Sequence, residues 1–470
     1  MKIICNKIIL GLLILFIGVK AFALNVIYPT SNCMNTNASS TFFVGNINPK
    51  EDLYINGFKI DIHKSGAFAQ KVPLEIGKNI FTLKSNTEEK NFIVNRKAVL
   101  GVTYKNTNPL ANFKPYNEIK YFYVKKDGIA LRETPVEEGI NRLSHLEKDV
   151  ILRVDGEMYN LYRVKLTDEI FAWVNKNSVY EKPNEETIEP ATILAQYTDQ
   201  SKNSYFYKFN LDKRIPYYVE EGKQLTLHLF NTDGKETVLP LKANYSPMGY
   251  DAYYRNNYLI FEVKKKLKLY KFKPLKDITI VIDAGHGGTE RGAISCLGDK
   301  EKDINLKIAK YLYAELLKKG ADVYMTRTKD EFMSLNDRVT FSHDKKADIF
   351  ISIHANSLPD GKDPSTSRGA SIYYYYDEAK PLAESILNNM TDKLKINNDG
   401  IYQRSFAVVR NSRALSVLVE TGYVINPEDN VLLNNKHFQK NCAKAISKGV
   451  LEYLKNAQVN QSSSTLQTQN

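Results

Sequence analysis

The stretch ITIVIDAGHGGTERGA, residues 278–293, runs from an apolar segment directly into a loop that holds one histidine among four glycines. The segment ITIVIDA is typical of a strand that is buried on both faces. Residues 303–320 then space their apolar side chains along one helical stripe and end at Gly320, a common helix stop. A buried strand that leads into such a helix predicts an α/β unit.

The same alternation of strands and helices continues to residue 456. Strand patterns cover residues 322–327, 347–356, 369–376 and 414–423, and a closing helix is expected near residues 436–455. Together they predict a C-terminal α/β domain over residues 277–456, with a largely parallel sheet that is flanked by helices. The polar tail, residues 457–470, is predicted to be disordered.

The residues upstream of 277 show β patterns throughout and predict three small all-β modules. The first module, residues 24–100, alternates polar and apolar residues around Asn56-Gly57, a strong signal for a two-residue hairpin. It resembles an immunoglobulin-like β-sandwich. Residues 104–118 contain two prolines and four asparagines, and mark its boundary.

The second module, residues 119–182, consists of short strands with turn residues between them, which predicts a small β-barrel. It resembles a bacterial SH3-like domain through its ALRETP opening, its YRVKL strand and its AWV strand. Trp173, the only tryptophan of the chain, lies in the AWV strand. We predict a core position for this ring, and a platform for a ligand is the alternative.

The charge and the N-terminus together limit the possible partners. The chain of 470 residues has a net charge of +12, which favours nucleic acid, an anionic membrane or an acidic polymer as a neighbour. Lys2 and Lys7 precede a short apolar run, and the sequence AFA at 21–23 is a cleavage pattern. Residues 1–23 are therefore predicted to be a signal peptide, with an uncleaved anchor as the alternative. Export to the periplasm, the cell wall or the exterior excludes nucleic acid as a partner.

The third module, residues 191–275, again alternates in the manner of strands. Its segment YLIFEVKKKLKLYKF, residues 258–272, carries several lysines. We interpret this segment as a solvated edge strand that is protected by charge. The alternative is a basic patch that binds anionic wall polymers.

Four side chains with chemical capacity fall at the ends of elements in the C-terminal domain. His286 follows the first strand, His354 closes the strand ADIFISIHAN, and Glu420 lies at the end of ALSVLVE. Glu301 stands just before the helix that follows the His286 loop. Because the carboxyl ends of parallel strands open on one crevice, we expect these groups to lie close together. Two imidazoles and a carboxylate form the open three-ligand site of catalytic zinc, and a further carboxylate would transfer protons.

Five motifs, taken in order, carry a family resemblance. They are IDAGHGG (282–288), EKDINLKIAKYL (301–312), MTRTKDEFMSLNDR (325–338), ADIFISIHAN (347–356) and VLVETGYVINPED (417–429). The segment resembles the zinc-dependent N-acetylmuramoyl-L-alanine amidases of the bacterial envelope. This resemblance implies that His286, Glu301 and His354 bind Zn²⁺ and that Glu420 is the catalytic acid and base.

Other residues of the domain are predicted to have structural roles, or two possible roles are kept open for them. His343 is predicted to be a surface helix residue and Cys296 a loop cysteine, so neither is expected to bind zinc. Arg338 and Asn356 either shape the site or support the fold. Residues 373–376, YYYY, are interpreted as a strand, and a ring that lines the substrate groove is the alternative.

The sequence as a whole predicts an exported zinc hydrolase that cleaves the amide bond between N-acetylmuramic acid and the L-alanine of the peptidoglycan stem peptide. Peptidoglycan is the expected partner, and the basic β modules could add contacts to anionic wall polymers. The oligomeric state is left open. Two alternatives are a catalytically inactive wall-binding protein and a zinc peptidase that acts within stem peptides.

Overall fold

The structure, a computed structural model, describes residues 23–97, 110, 112–137, 140–181, 188–222, 224–240, 248–265 and 268–466. Of the predicted signal peptide, only residue 23 falls within these ranges. No helix in the described ranges is both long and apolar enough to cross a membrane.

The first module is built from two facing sheets that share one core. Its strands are β1 (Asn25–Tyr28), β2 (Cys33–Thr36), β3 (Ser40–Asn46), β4 (Leu53–Ile55), β5 (Phe58–Ile60), β6 (Ala67–Pro73), β7 (Gly77–Ser85) and β8 (Glu89–Arg96). One sheet has the order β1-β3-β6, and the other has the order β2-β8-β7-β4-β5, in which β2 and β8 run parallel. The ring of Phe43 lies 5.4 Å from that of Phe81 and 5.3 Å from that of Phe92, across the two sheets. Such interdigitated aromatic contacts hold the sheets together as a β-sandwich.

The second module is one antiparallel sheet with the order β11-β10-β14-β13-β12-β9-β15. Its strands are β9 (Lys114–Val124), β10 (Ile129–Arg132), β11 (Arg142–Leu146), β12 (Ile151–Met158), β13 (Leu161–Lys165), β14 (Phe171–Asn175) and β15 (Val179–Glu181), with a 3-10 turn at Lys176–Ser178. Trp173 is only 3% exposed and packs edge-on against Phe113, next to Met158 and Leu161. Its ring is therefore part of the core and offers no open face to a ligand.

The third module shares its core with the second. Its strands are β16 (Ile193–Gln200), β17 (Ser204–Leu211), β18 (Tyr217–Glu220), β19 (Thr226–Phe230), β20 (Glu236–Pro240), β21 (Tyr250–Arg255) and β22 (Tyr258–Lys264). They form two sheets, β16-β17-β22-β21 and β18-β19-β20. Phe209 and Leu227 of this module belong to the same hydrophobic cluster as Phe122 and Leu152 of the second. The sequence predicts two separate modules, but each small sheet needs a second layer over its apolar face, and the two modules supply it to each other.

The interpretation of residues 258–272 as a solvated edge strand is wrong where the structure describes it. Strand β22 lies between β17 and β21, and the side chains of Leu259 and Phe261 are fully buried. Lys264 forms an ion pair with Asp348 of the C-terminal domain at 3.3 Å. The alternating apolar residues therefore place this strand inside its sheet, and its terminal lysine contacts another domain instead of solvent.

The C-terminal domain contains a mixed six-stranded sheet. Its strands are β23 (Thr279–Ala284), β24 (Asp322–Met325), β25 (Ile349–Asn356), β26 (Ala370–Tyr374), β27 (Asn398–Gln403) and β28 (Leu415–Tyr423), in the order β24-β23-β25-β28-β26-β27. Neighbouring strands run parallel except β26 and β28, which are antiparallel. Residues 357–369, which lead into β26, form no helix, whereas a parallel crossover usually needs one. The sheet is therefore largely parallel, with two strands reversed.

Helices cover both faces of this sheet. They are α1 (Glu301–Lys318), α2 (Leu335–Asp344), α3 (Lys380–Leu394), α4 (Pro427–Leu433) and α5 (Lys436–Leu466), with 3-10 turns at Asp377–Ala379 and Ala407–Val409. Helices α1, α3 and α5 pack on one face through side chains such as Ile308, Ile386 and Ile446. Phe341 of α2 packs on the other face, against Val281 and Phe350. The amphipathic stripe seen in the sequence is thus the sheet-facing side of α1.

The last helix is longer than predicted. It continues to Leu466, whereas the sequence suggests an end near residue 455 and a disordered tail from residue 457. Residues 451–466 contain neither proline nor glycine, so nothing in this polar stretch breaks the helix. A polar composition predicts disorder here, but it is equally compatible with a helix.

The first module docks directly on the C-terminal domain. Asp360 accepts hydrogen bonds from the hydroxyls of Tyr28 at 2.8 Å and Thr41 at 2.7 Å. Phe42 and Val44 of β3 enter the hydrophobic cluster of the C-terminal domain. The two regions, far apart in sequence, therefore share both polar and apolar contacts.

Replacing Asp360 by alanine should weaken this docking. The change leaves the half-buried hydroxyl of Tyr28 and the buried hydroxyl of Thr41 without their acceptor, which costs about 1–3 kcal/mol for a group left unsatisfied. Calorimetric unfolding of the full chain should show a lower melting temperature for Asp360→Ala. Asp363→Ala is the matched control, because Asp363 accepts hydrogen bonds from Ser365 within its own loop. Equal melting temperatures for the two variants would contradict the assignment.

Candidate metal centre

The loop after β23 holds His286 in an unusual backbone conformation. His286 has φ 60°, in the left-handed region that non-glycine residues rarely adopt. Arg338, only 2% exposed, donates from Nη2 to the carbonyl of His286 at 3.0 Å and from Nη1 to Asp283 at 2.6 Å. The guanidinium of α2 thus ties the loop to the strand that precedes it, and this assigns Arg338 a positioning role.

Glu301, the first residue of α1, lies between the two histidines. Its Oε2 is 3.1 Å from His286 Nε2, and its Oε1 is 2.9 Å from His354 Nδ1. The backbone N–H of Ala293 donates to Oε2 at 2.8 Å, and the amide of Asn305 donates to Oε1 at 3.1 Å. Burial alone would raise the pKa of Glu301, but the hydrogen bonds and charges of the histidines outweigh it and hold the pKa well below its usual range. The carboxylate is therefore ionised and fixed in place.

Two glycines make room for these side chains. A Cβ on Gly285 would lie 2.2 Å from His354 Nε2, far inside contact distance. A Cβ on Gly292, which has φ +67°, would lie 2.4 Å from Glu301 Oε2. These two glycines therefore accommodate the protein's own candidate ligands.

The three side chains have the donor set of a catalytic metal site. The candidate ligand atoms of His286, Glu301 and His354 all lie within 4.8 Å of one another. Two imidazole nitrogens and one carboxylate oxygen suit Zn²⁺, and three protein ligands leave a fourth position for substrate or solvent. The three residues that the sequence predicts as ligands therefore have donor atoms that suit a zinc ion.

Glu420 lies beside this group on the neighbouring strand. In the register of β25 and β28 it is the partner of His354. Its Oε2 is buried and has no hydrogen-bond partner among the described residues. Burial first, and then the negative charges of Glu301 and Asp399, raise the pKa of Glu420 well above its usual range. An unpartnered buried oxygen costs about 1–3 kcal/mol, so a functional reason for its position is expected.

His343 and Cys296, which the sequence predicts not to bind zinc, are not part of the three-ligand cluster. His343 binds Asn411 through Nε2 at 2.9 Å. Cys296 is fully buried, and burial raises the pKa of its thiol to about 12, so it stays protonated. In the segment YYYY, burial first and the negative charge of Glu420 second raise the pKa of Tyr373. The amide of Asn356 also hydrogen-bonds Tyr373, so Asn356 supports this wall.

Two residues that support the candidate metal site, Asn305 and Arg327, are not predicted from the sequence. Asn305 lies four positions after Glu301 on α1, and this helical spacing could have indicated it. Arg327, only 1% exposed, donates to the carbonyls of Ala284 and Gly285 at 2.8 and 2.9 Å. A single arginine after a strand gives no sequence signal that it holds the backbone of a neighbouring loop. These side chains hold the backbone from which His286 projects.

Replacing Asp283 by asparagine should destabilise the C-terminal domain. Asp283 is buried and accepts hydrogen bonds from Arg338, Thr326 and Ser352. Loss of its charge leaves Arg338 buried without an anion, which costs about 3–5 kcal/mol. Calorimetry should show a melting temperature lower by roughly 6 °C or more. Asp344→Asn, at an exposed position of α2, is the control, and an equal loss in both variants would refute this role.

Comparison with known proteins shows what the C-terminal domain is similar to. Residues 280–452 match the family described as N-acetylmuramoyl-L-alanine amidase. The probable cell wall amidase LytH of Staphylococcus saprophyticus is 40% identical over 183 residues, which cover 38% of this chain and 60% of that protein. LytH of Staphylococcus epidermidis is 38% identical over 182 residues, with the same coverage. The amidase AmiC2 of Nostoc punctiforme has a solved structure with 38% identity and a TM-score of 0.37, over 38% of this chain and 99% of that one.

The family match and the curated relatives support the resemblance of the C-terminal domain to N-acetylmuramoyl-L-alanine amidases. The chain spans 60% of the length of the curated relatives that it matches. Zinc binding, export and the SH3-like character of the second module stay predictions.

Proposed function

We propose that the protein is an exported, zinc-dependent hydrolase that cleaves the amide bond between N-acetylmuramic acid and the L-alanine of the peptidoglycan stem peptide. The observation that carries the proposal is the convergence of His286, Glu301 and His354 beside the unpartnered carboxyl of Glu420. This convergence lies within the segment that matches the amidase family. The three β modules would localise the enzyme on the wall, where anionic polymers are further candidate partners.

His286, Glu301 and His354 are the proposed zinc ligands. When bound, Zn²⁺ supplies Lewis acidity, which polarises an amide carbonyl and acidifies water. Asn305 and the backbone of Ala293 fix the Glu301 carboxylate, so it stays oriented without solvent. Gly285 leaves the space that His354 occupies. The chain therefore holds its proposed ligands in place before any ion arrives, which lowers the cost of binding.

Glu420 is the proposed proton carrier. Its Oε2 takes a proton from the attacking water as the water oxygen bonds to the lactyl carbonyl carbon. The same carboxyl then gives that proton to the amide nitrogen of L-alanine as the C–N bond breaks. The products are a free lactyl carboxylate and a peptide with a free amine. A carboxyl with an unoccupied oxygen can perform both transfers, and the lack of a hydrogen-bond partner at Oε2 supports this role.

One experiment separates this function from the two alternatives. Purified peptidoglycan is incubated with the full chain, with and without a chelator, and the released fragments are analysed by mass spectrometry. Free stem peptides that begin with L-alanine, and that disappear on chelation, are expected. Cleavage inside the stem would instead indicate a zinc peptidase, and binding without products would indicate an inactive wall-binding protein.

A further inference from the structure

A cavity of about 930 Å³ lies where the second module, the third module and the C-terminal domain meet. We call it the junction cavity. Its wall includes Arg142 and His145 of β11, Tyr250 of β21, and Arg410 just beyond the turn Ala407–Val409. The proposed zinc ligands and Glu420 are not part of this wall. Its volume falls in the range of about 300–1,000 Å³ that is usual for small-ligand sites.

One end of the junction cavity is basic. Arg142 and Arg410 line it, and Arg132 of β10 lies close behind them. Burial first, and the positive charge of Arg142 second, lower the pKa of both Arg132 and Arg410. Three guanidinium groups from two regions of the chain are thus held near enough to repel one another.

This basic end lacks a counter-charge within the described part of the chain. None of the three guanidinium groups forms an ion pair with a described carboxylate, and Nε of Arg142 is buried without a hydrogen-bond partner. Glu137 acts on Arg132 through its charge, but its two oxygens accept hydrogen bonds from the amides of Asn160 and Asn175 at 2.9 and 2.7 Å. Buried like charges without an anion are costly, so an external anion would stabilise this end.

His145 does not add a positive charge. Burial, followed by the charges of the three arginines, lowers the pKa of His145 to about 4. Its neutral ring can therefore accept a hydrogen bond from Nη1 of Arg142, which lies 3.0 Å from Nε2. This contact orients the Arg142 guanidinium without neutralising it.

The other end of the junction cavity is acidic. Glu147 accepts hydrogen bonds from the hydroxyl of Tyr217 at 2.9 Å and the N–H of Tyr254 at 3.2 Å, and burial raises its pKa to about 7. Asp251 is paired with Arg413 at 2.7 Å, whereas Glu147 has no cationic partner among the described residues. The carboxyl group of Glu147 is therefore available to pair with an ammonium group of a ligand at this end.

The chain between Arg142 and Glu147 sets the scale of the cavity. Arg142 begins β11 and Glu147 is the residue after its end, so their Cα atoms are separated by roughly 16 Å at the usual rise of a strand. An extended peptide spans about 3.3–3.6 Å per residue, so four or five residues cover this length.

We infer that the junction cavity binds a short peptide with free termini, whose carboxylate contacts Arg142 and Arg410 and whose ammonium group contacts Glu147. The peptide that the proposed hydrolysis releases belongs to this class, and only that identification rests on the proposed function. A polymer of repeated phosphates fits less well, because Glu147 and Glu221 would face its further negative charges.

Calorimetric titration of the full chain with pentaalanine tests this inference. The peptide with two free termini should bind, and amidation of its C-terminus or acetylation of its N-terminus should weaken binding by about tenfold or more. Arg142→Gln and Arg410→Gln should each cause a similar loss, while Arg142→Lys should retain part of the affinity. Arg255→Gln, at an exposed position of β21 outside the cavity, is the control and should bind like the unaltered chain.

The variants should fold, since no ion pair among the described residues is broken, and calorimetric unfolding verifies this. Equal affinity for free and amidated pentaalanine, or unchanged affinity in Arg142→Gln, would overturn the inference. Tighter binding of poly(glycerol phosphate) than of pentaalanine would also overturn it. Because pentaalanine titration involves no hydrolysis, its outcome is independent of amidase activity.

Discussion

Replacing Glu420 by glutamine should lower the release of stem peptides from peptidoglycan by about 10²–10⁴-fold, the usual contribution of a positioned acid and base. Glutamine has nearly the same shape, but its amide cannot take a proton from water and return it to a leaving amine. Because Glu420 is not among the three clustered ligands, metal binding should persist. The rate loss should therefore appear in kcat, with little change in folding.

The measurement for Glu420→Gln is the rate of fragment release at saturating peptidoglycan. Glu384→Gln, at an exposed position of α3, is the matched control and should retain full activity. A Glu420→Gln variant with more than about a tenth of the unaltered rate would remove this residue from the mechanism.

Replacing Gly285 by alanine should lower zinc affinity and activity together, by about 10–100-fold, the range seen when residues that orient metal ligands are altered. The added Cβ would lie 2.2 Å from Nε2 and 2.3 Å from Cε1 of His354, so the ring must move. The backbone itself accepts alanine, because Gly285 does not adopt a positive φ. The effect is therefore steric and acts on one proposed ligand.

Competition with a fluorescent chelator measures the zinc affinity of Gly285→Ala. Gly222→Ala is the control, since the nearest atom to its added Cβ lies 3.7 Å away. An unchanged affinity in Gly285→Ala would mean that the position of His354 is not needed for the ion.

The proximity of the candidate site residues could be predicted from the sequence because the sheet imposes it. His286 follows β23, His354 lies near the end of the adjacent parallel strand β25, and Glu420 lies in the next strand, β28, so their side chains meet at one edge. The role of Gly285 could not be predicted in the same way. It depends on a ring that comes from 69 residues further along the chain, and no local pattern records that contact.

The packing between the modules also could not be predicted from the sequence. The sequence predicts residues 119–182 and 191–275 as two modules, yet their side chains form one hydrophobic cluster. Strand alternation indicates which face is apolar, but it does not say which neighbour covers that face. The arginines of the junction cavity illustrate the same limit, because Arg142 of the second module and Arg410 of the C-terminal domain come together only where those two regions meet.

The central claim is that His286, Glu301 and His354 hold one zinc ion and that Glu420 acts beside it. Zinc content after dialysis, measured by plasma mass spectrometry on the full chain, tests this claim most directly. The unaltered chain and Glu420→Gln should each retain one zinc ion per chain, whereas Glu301→Ala should retain almost none. Full zinc content in Glu301→Ala, or loss of zinc in Glu420→Gln, would contradict the account.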